Sequence, residues 1–164
     1  MRLYHGTTLA IEHPRIINRF ATLDFGTGFY TTSNEVQAQE FALKTYGRRG
    51  RCGSPTVNTY EVDDSVLANG CLGVLHFEGA NADWLHFVVH NRRFGRDPSI
   101  EADVIVGPVA NDNVFRTIDL FEAGDLTEAE AIARFKVNEL FDQYLFCTEK
   151  ALGFLNHVGF CEVS

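Results

Sequence analysis

The chain has 164 residues, 45% hydrophobic and 22% charged, which fits one globular domain over residues 1–164 and excludes a disordered or fibrous protein. The net charge of −8 argues against a broad nucleic-acid surface, because lysine and arginine make most phosphate contacts. No apolar run reaches the roughly 18 residues that span a bilayer, and MRLYHGTT lacks a signal-peptide pattern. The sequence therefore predicts a cytoplasmic protein that makes no membrane contact.

The first half of the chain predicts strands around one well-defined helix. RLYHG, GFYTT and TVNTYEVD are rich in aromatic and β-branched residues and predict strands, and GCLGVLHFEG predicts another. Ser33 or Asn34 can cap a helix that ends near Gly47. Apolar residues at helical spacing predict its inward stripe, namely Ala38, Phe41, Ala42 and Thr45.

The second half alternates irregularly between helices and strands. DWLHFVVHNRR predicts a helix that buries Trp84, and ADVIVGPVAN predicts a buried strand. Thr127 and Glu130 have capping-box spacing, so a helix begins there, and QYLFC predicts the next strand. A short helix from Thr148 to about Asn156 and a strand near 160–163 follow. Because the regular βαβ rhythm is missing, we expect an α+β domain with a largely antiparallel sheet.

Cysteines and basic residues give weaker signals. The four cysteines are too far apart for a CxxC motif, so we expect reduced thiols and no metal. Half of the basic residues lie in two clusters, which are Lys44, Arg48, Arg49 and Arg51, and Arg92, Arg93 and Arg96. Each cluster is either a solvated loop or a local site of phosphate capture.

The glycine-rich stretch DFGTGFYTT is more informative when it is considered together with LYHG at the start of the chain. Taken alone, Gly26 and Gly28 predict only a turn, because the full dinucleotide fingerprint GxGxxG is absent. Together, the two stretches resemble the ADP-ribosyltransferase superfamily of the diphtheria-toxin and poly(ADP-ribose) polymerase type. His5 and Gly6 match its His-Gly strand, and the two glycines with Tyr30 match its glycine-rich turn and tyrosine strand.

The resemblance implies a split, largely antiparallel β-sheet core with flanking helices, and it implies roles for individual residues. His5 would donate to a ribose hydroxyl of NAD, and the backbone of Gly6 would pair with the nicotinamide amide. Tyr30 would stack on the nicotinamide ring. Residues that complete the implied NAD site are Thr7, Gly28 and Phe41, where Phe41 is either a second stacking ring or an ordinary core residue.

The third catalytic residue in the family is usually a glutamate that opens a late strand. No glutamate does so here, and Gln143 fits the position best, with Glu139 and Glu149 as alternatives. A glutamine keeps a carbonyl acceptor but loses the negative charge, so single transfer is favoured over chain elongation. Asn111 and Asp112 either line a ligand pocket or form a turn.

The DVIVGPVANDN and QYLFCTEKAL segments extend the resemblance, to a bacterial branch of the superfamily, over nearly the whole chain. It implies a mono-ADP-ribosyltransferase that uses NAD as its substrate and modifies a protein or a nucleic acid. Such an enzyme would act as a toxin, an effector or a toxin-antitoxin component, and an antitoxin or immunity protein would be its partner. One alternative is a non-catalytic module that binds NAD, ADP-ribose or a partner. Another is an RNA 2′-phosphotransferase, for which Arg15 and Arg19 are the available arginines.

Overall fold

A computed structural model describes residues 1–17, 23–109, 112–137 and 140–164, with only the backbone of Asp112. Within these residues the elements are, in chain order, β1 (Arg2–Thr7), β2 (Phe29–Thr31), α1 (Glu35–Arg48), β3 (Thr56–Glu61), α2 (Asp64–Ala68), β4 (Val74–His76), α3 (Ala82–Phe94), β5 (Val104–Pro108), α4 (Asp112–Glu122), α5 (Glu128–Phe135), β6 (Asp142–Phe146), α6 (Glu149–Leu152) and β7 (Asn156–Glu162).

The strands form two sheets, which confirms the predicted α+β class. One sheet has the order β1-β3-β7 and is antiparallel throughout. The other has the order β2-β6-β5-β4, in which β4 and β5 are parallel and the remaining pairs are antiparallel. The helix α3 connects the two parallel strands, so a single βαβ unit is built into an otherwise antiparallel arrangement.

Three apolar clusters hold the layers together. One lies between the two sheets and includes Leu3, Tyr60 and Phe146. Another lies between the four-stranded sheet and helices α3 to α5, around Trp84. The smallest joins α1 to the three-stranded sheet through Ala38, Ala42 and Val57. No helix in the described ranges is both long enough and apolar enough to cross a bilayer.

Local signals placed several helix boundaries correctly. The Asn34 side chain accepts a hydrogen bond from the Gln37 backbone N–H, which confirms the predicted start of α1. The capping box of Thr127 with Glu130 is present at the start of α5. The buried stripe of α1 is narrower than predicted, because Ala38 and Ala42 are buried whereas Phe41 is 51% exposed.

Other predicted boundaries were wrong, in regions where the hydrophobic pattern is weak. The helix after Thr148 ends at Leu152, and β7 begins at Asn156, four residues earlier than predicted. No residue of β7 is fully buried, so the strand lacks the buried apolar positions that make a strand easy to recognise in a sequence. The amphipathic helix α4 was not predicted at all, although it buries Val114 and Ile118.

Candidate active site

The His-Gly strand and the tyrosine strand separate from each other at the candidate site. Tyr4 and Thr32 form a backbone bridge, with N–H to carbonyl distances of 2.8 and 3.0 Å. Alternate residues of a strand direct their N–H and C=O groups to the same edge, so Gly6 faces the same side as Tyr4. In the described chain Gly6 pairs with Val57 of β3, and the Tyr4–Thr32 bridge is the one pairing toward β2, so no strand pairing joins Gly6 to β2. The peptide groups of Gly6 therefore face a gap in the pairing of β1 with β2, which we call the opening between these strands, and Gly6 itself is buried there.

The His5 side chain spans this opening. Its Nδ1 lies 2.7 Å from the Tyr30 carbonyl oxygen, and its ring centroid lies 4.5 Å from that of Phe29. Burial lowers the pKa of His5 below its usual 6.5, and the hydrogen bond to Tyr30 opposes this shift only in part. The imidazole is therefore neutral near pH 7.

This hydrogen bond assigns the tautomer of His5. A carbonyl oxygen can only accept, so Nδ1 carries the proton and Nε2 presents a lone pair. A ligand hydroxyl would donate to Nε2. This differs from the sequence-based expectation, in which His5 is the donor to a ribose hydroxyl, and that expectation stays a prediction.

Both glycines of the candidate NAD set are required for close packing within the protein. A Cβ on Gly6 would lie 2.0 Å from the carbonyl oxygen of Ala38, so α1 contacts β1 only because residue 6 has no side chain. A Cβ on Gly28 would lie 2.5 Å from the carbonyl oxygen of Phe146. Thr7 is buried at the end of β1.

The glycine-rich loop holds the Tyr30 side chain. The Tyr30 hydroxyl donates to the Gly26 carbonyl at 2.7 Å and accepts from the Phe25 N–H at 3.2 Å. Burial raises the pKa of this hydroxyl. The loop thus closes around the ring that it precedes, and Tyr30 is fixed in one orientation.

An ion pair with α3 fixes the loop in turn. Arg92 Nε lies 2.8 Å from an Asp24 carboxylate oxygen, and the Asn91 amide donates to the Asp24 carbonyl at 2.9 Å. Burial raises the pKa of Asp24, and the Arg92 guanidinium opposes that shift. Arg93 pairs with Glu122 at 2.7 Å. Two of the three arginines in the second basic cluster are thus engaged in ion pairs, which favours a structural role for them over phosphate capture.

Phe41 lies on α1 as an exposed ring. Its exposure excludes ordinary core packing, which was the alternative role. The Arg48 guanidinium carbon lies 5.5 Å from the ring centroid, within the range of a cation–π contact. A ring in this position is available to stack on a ligand.

Gln143 belongs to the same sheet as Tyr30 but is not open to solvent. Because Tyr30 pairs with Leu145, and Gln143 is two residues before Leu145, the Gln143 side chain is on the same face of the sheet as Tyr30. It is 5% exposed, and its amide nitrogen donates to the Pro108 carbonyl at 3.2 Å. That carbonyl also accepts from the Trp84 indole N–H at 3.2 Å. The fold therefore places Gln143 on the strand next to β2, but its amide group is hydrogen-bonded to Pro108 in the protein interior.

Among the other candidates that the structure describes, Glu149 does not join this arrangement. Glu149 is exposed and begins α6, beyond the opposite end of β6 from Gln143. Glu139, Asn111 and Arg19 lie outside the described residues, and Asp112 begins α4.

Asp142 was missed by the sequence analysis. An acidic residue does open the late strand, because β6 begins at Asp142, one residue before the glutamine. Its carboxylate accepts from the Ser33 N–H at 2.8 Å and from the Thr32 hydroxyl at 3.1 Å. It fixes the end of β2 next to α1. No local pattern distinguishes the two positions, because DQYLF has two polar residues followed by three aromatic or apolar ones and a strand could begin at either polar residue.

A cavity of about 390 Å³ lies elsewhere on the four-stranded sheet, beside Asp142 and Tyr144. Its walls include Phe77 and Phe141 but none of His5, Tyr30 and Gln143. The three residues proposed as catalytic therefore do not line this cavity.

Comparison with known proteins gives a family but no activity. A search of curated proteins and a search of solved structures each returned no significant match. A family model described as a protein of unknown function (DUF3990) matches residues 1–157. This match covers His5, Tyr30 and Gln143, and the chain belongs to the DUF3990 family.

Proposed function

We propose that this protein is an NAD-dependent mono-ADP-ribosyltransferase. The observation that carries the proposal is the opening between β1 and β2, where the Gly6 peptide groups have no pairing partner on β2 and lie next to the neutral imidazole of His5. A primary amide needs both a donor and an acceptor, and one strand residue offers both on the same edge. Nicotinamide carries such an amide on an aromatic ring.

The remaining groups suit the other parts of the substrate. Tyr30, held by two hydrogen bonds, and the exposed Phe41 supply rings for stacking on nicotinamide. His5 Nε2 accepts from a ribose hydroxyl and so orients the sugar. Departure of nicotinamide would leave an oxocarbenium-like centre, and the site would accelerate the reaction to the extent that it stabilises this developing charge.

Gln143 limits the chemistry that this site can perform. Its carbonyl oxygen is a neutral acceptor, so it stabilises positive charge less than a carboxylate would and cannot act as a base near neutral pH. Transfer of one ADP-ribose unit, or hydrolysis of NAD as a side reaction, is consistent with this residue. Chain elongation is not.

One observation favours a second candidate function, a non-catalytic module that binds NAD or ADP-ribose. The Gln143 amide is buried and donates to Pro108, so it is already part of the structure around Trp84. A site that keeps the Gly6 backbone groups for nicotinamide, but in which Gln143 is not free to act on the ribose, would bind NAD without cleaving it.

The cellular setting follows the same proposal. All four cysteines are free and three are exposed, as expected in a reducing compartment such as the cytoplasm. There the enzyme would act as a toxin, an effector or a toxin-antitoxin component on a protein or nucleic-acid acceptor. An antitoxin or immunity protein would neutralise it by covering the opening.

Release of nicotinamide from NAD tests the proposal. Wild type should release nicotinamide, and His5→Ala, Tyr30→Ala and Phe41→Ala should each reduce the rate while remaining folded by circular dichroism. Phe94→Ala is the matched control, because Phe94 is an exposed phenylalanine on α3 and its removal should leave the rate unchanged. Labelled NAD in cell lysate would then identify the acceptor.

Two negative results lead to different conclusions. If wild type binds NAD but releases no nicotinamide, even with lysate present, the protein is the binding module. If it neither binds nor cleaves NAD at millimolar concentration, both functions are wrong.

A further inference from the structure

Four basic side chains gather at the end of α1, and we call them the α1 basic cluster: Lys44, Arg48, Arg49 and Arg51. Among the described residues none of the four lies within ion-pair distance of a carboxylate, although the chain carries a net charge of −8. Arg92 and Arg93, in contrast, are neutralised by acidic partners. The cluster is therefore a local concentration of positive charge that the protein itself does not compensate.

The cluster adjoins the candidate NAD site at two points. Arg49 donates from Nη1 to the Thr8 hydroxyl at 2.8 Å, and Thr8 is two residues, roughly 7 Å, beyond Gly6 along the chain. Arg48 lies over the ring of Phe41. A ligand whose aromatic end sits at Gly6 and Phe41 would therefore extend toward these guanidinium groups.

A helix dipole explains part of the cluster but not its contacts. Basic residues are favourable in the last turn of a helix, whose carbonyl end carries about half a negative charge. That effect does not require the guanidinium of Arg49 to be held by Thr8. It also does not account for Arg51, whose backbone φ of 62° is in the left-handed region where glycine or asparagine is usual. Four positive charges exceed what the helix end neutralises.

We infer that the α1 basic cluster binds the diphosphate of a dinucleotide that occupies the opening between β1 and β2, with Arg49 as the principal ligand. This inference rests on the proposed function and names the second half of the same site. Arg49 gives one N–H to Thr8, which orients the guanidinium, and its other donors can form paired hydrogen bonds with phosphate oxygens. Arg48 and Arg51 add charge around it.

Calorimetric titration with ADP tests this inference, because ADP carries a diphosphate but no nicotinamide. Arg49→Met removes the charge and keeps a long side chain, and should weaken ADP binding about tenfold or more. Arg116→Met is the matched control, since it removes an exposed arginine from α4 on the other side of the four-stranded sheet, and should leave ADP binding unchanged. AMP, with one phosphate, should bind more weakly than ADP to wild type.

The outcomes separate this inference from the proposed activity. A selective loss of ADP binding in Arg49→Met supports the inference even if no nicotinamide is released from NAD. Equal ADP affinity in the two variants, or no ADP binding by wild type at millimolar concentration, overturns it whatever the NAD assay shows. If a single-stranded oligonucleotide displaces ADP and binds more tightly than ADP does, the diphosphate inference is overturned and the cluster is a nucleic-acid surface.

Discussion

Replacement of Gly6 by alanine is the most demanding test of the contact that positions the candidate site. The added Cβ would lie 2.0 Å from the Ala38 carbonyl oxygen and 2.9 Å from the Ala42 backbone nitrogen. Both atoms belong to the backbone of α1, so no side-chain rotation relieves the overlap. The helix must move away from β1 by about 1 Å or more, which disrupts the packing of Ala38 and Ala42 against Val57.

We expect Gly6→Ala to lower the free energy of unfolding by about 3 kcal/mol, the upper part of the range for overpacked cores. Gly47→Ala is the control within the same helix, because nothing lies within 4 Å of its added Cβ, and it should stabilise the protein by up to about 1 kcal/mol. Urea unfolding followed by far-UV circular dichroism measures both. If Gly6→Ala unfolds within about 0.5 kcal/mol of wild type, the close contact of α1 with β1 is refuted.

Three further predictions concern charged and titratable groups. Asp24→Ala should destabilise the protein by about 3 kcal/mol, because the largely buried Arg92 loses its carboxylate partner at 2.8 Å and keeps only the exposed Asp119 at 3.8 Å. Glu122→Ala breaks a more exposed pair and should cost at most about 1 kcal/mol. Similar losses for the two variants in urea unfolding would contradict this difference. Hydrogen bonds from Thr148 and neighbouring groups lower the pKa of Asp103. Asp103→Ala should therefore lower the free energy of unfolding by about 1.5–3 kcal/mol near neutral pH, and by progressively less as the pH falls below 3.8. A loss of stability that does not vary with pH would contradict the lowered pKa of Asp103. Burial lowers the pKa of His5, so the unfolded chain binds more protons than the folded chain as the pH falls through 6.5. The free energy of unfolding should therefore fall as the pH falls. His5→Gln should remove this part of the pH dependence, and thermal unfolding across pH 5–8 measures it.

Sequence reasoning succeeded where the signal is local. Asn34 and Thr127 place helix starts through caps that involve only the next few residues. Strand β5 was predicted from a short apolar run, and it is buried along its whole length. The α4 helix was missed because the Asn-Asp-Asn run suggested a turn, although such residues also occur at helix starts.

The site was only partly predictable because its geometry depends on distant contacts. The pairing of Arg92 with Asp24 spans 68 residues, and no local pattern identifies the partner. The tautomer of His5 depends on a carbonyl of another strand, 25 residues away. The burial of Gln143 depends on Pro108, which the fold places beside it. The sequence could name candidate residues but not which of their atoms remain free.

The central claim is that the Gly6 edge and His5 form a nicotinamide site, and amide NMR during a titration with NAD tests it most directly. We predict a saturable shift of the Gly6 amide together with a shift of the His5 ring nitrogens, larger than the shifts of residues around the cavity beside Tyr144. If NAD at saturating concentration leaves Gly6 and His5 unmoved, or shifts only Tyr144 and its neighbours, the account of the site is contradicted.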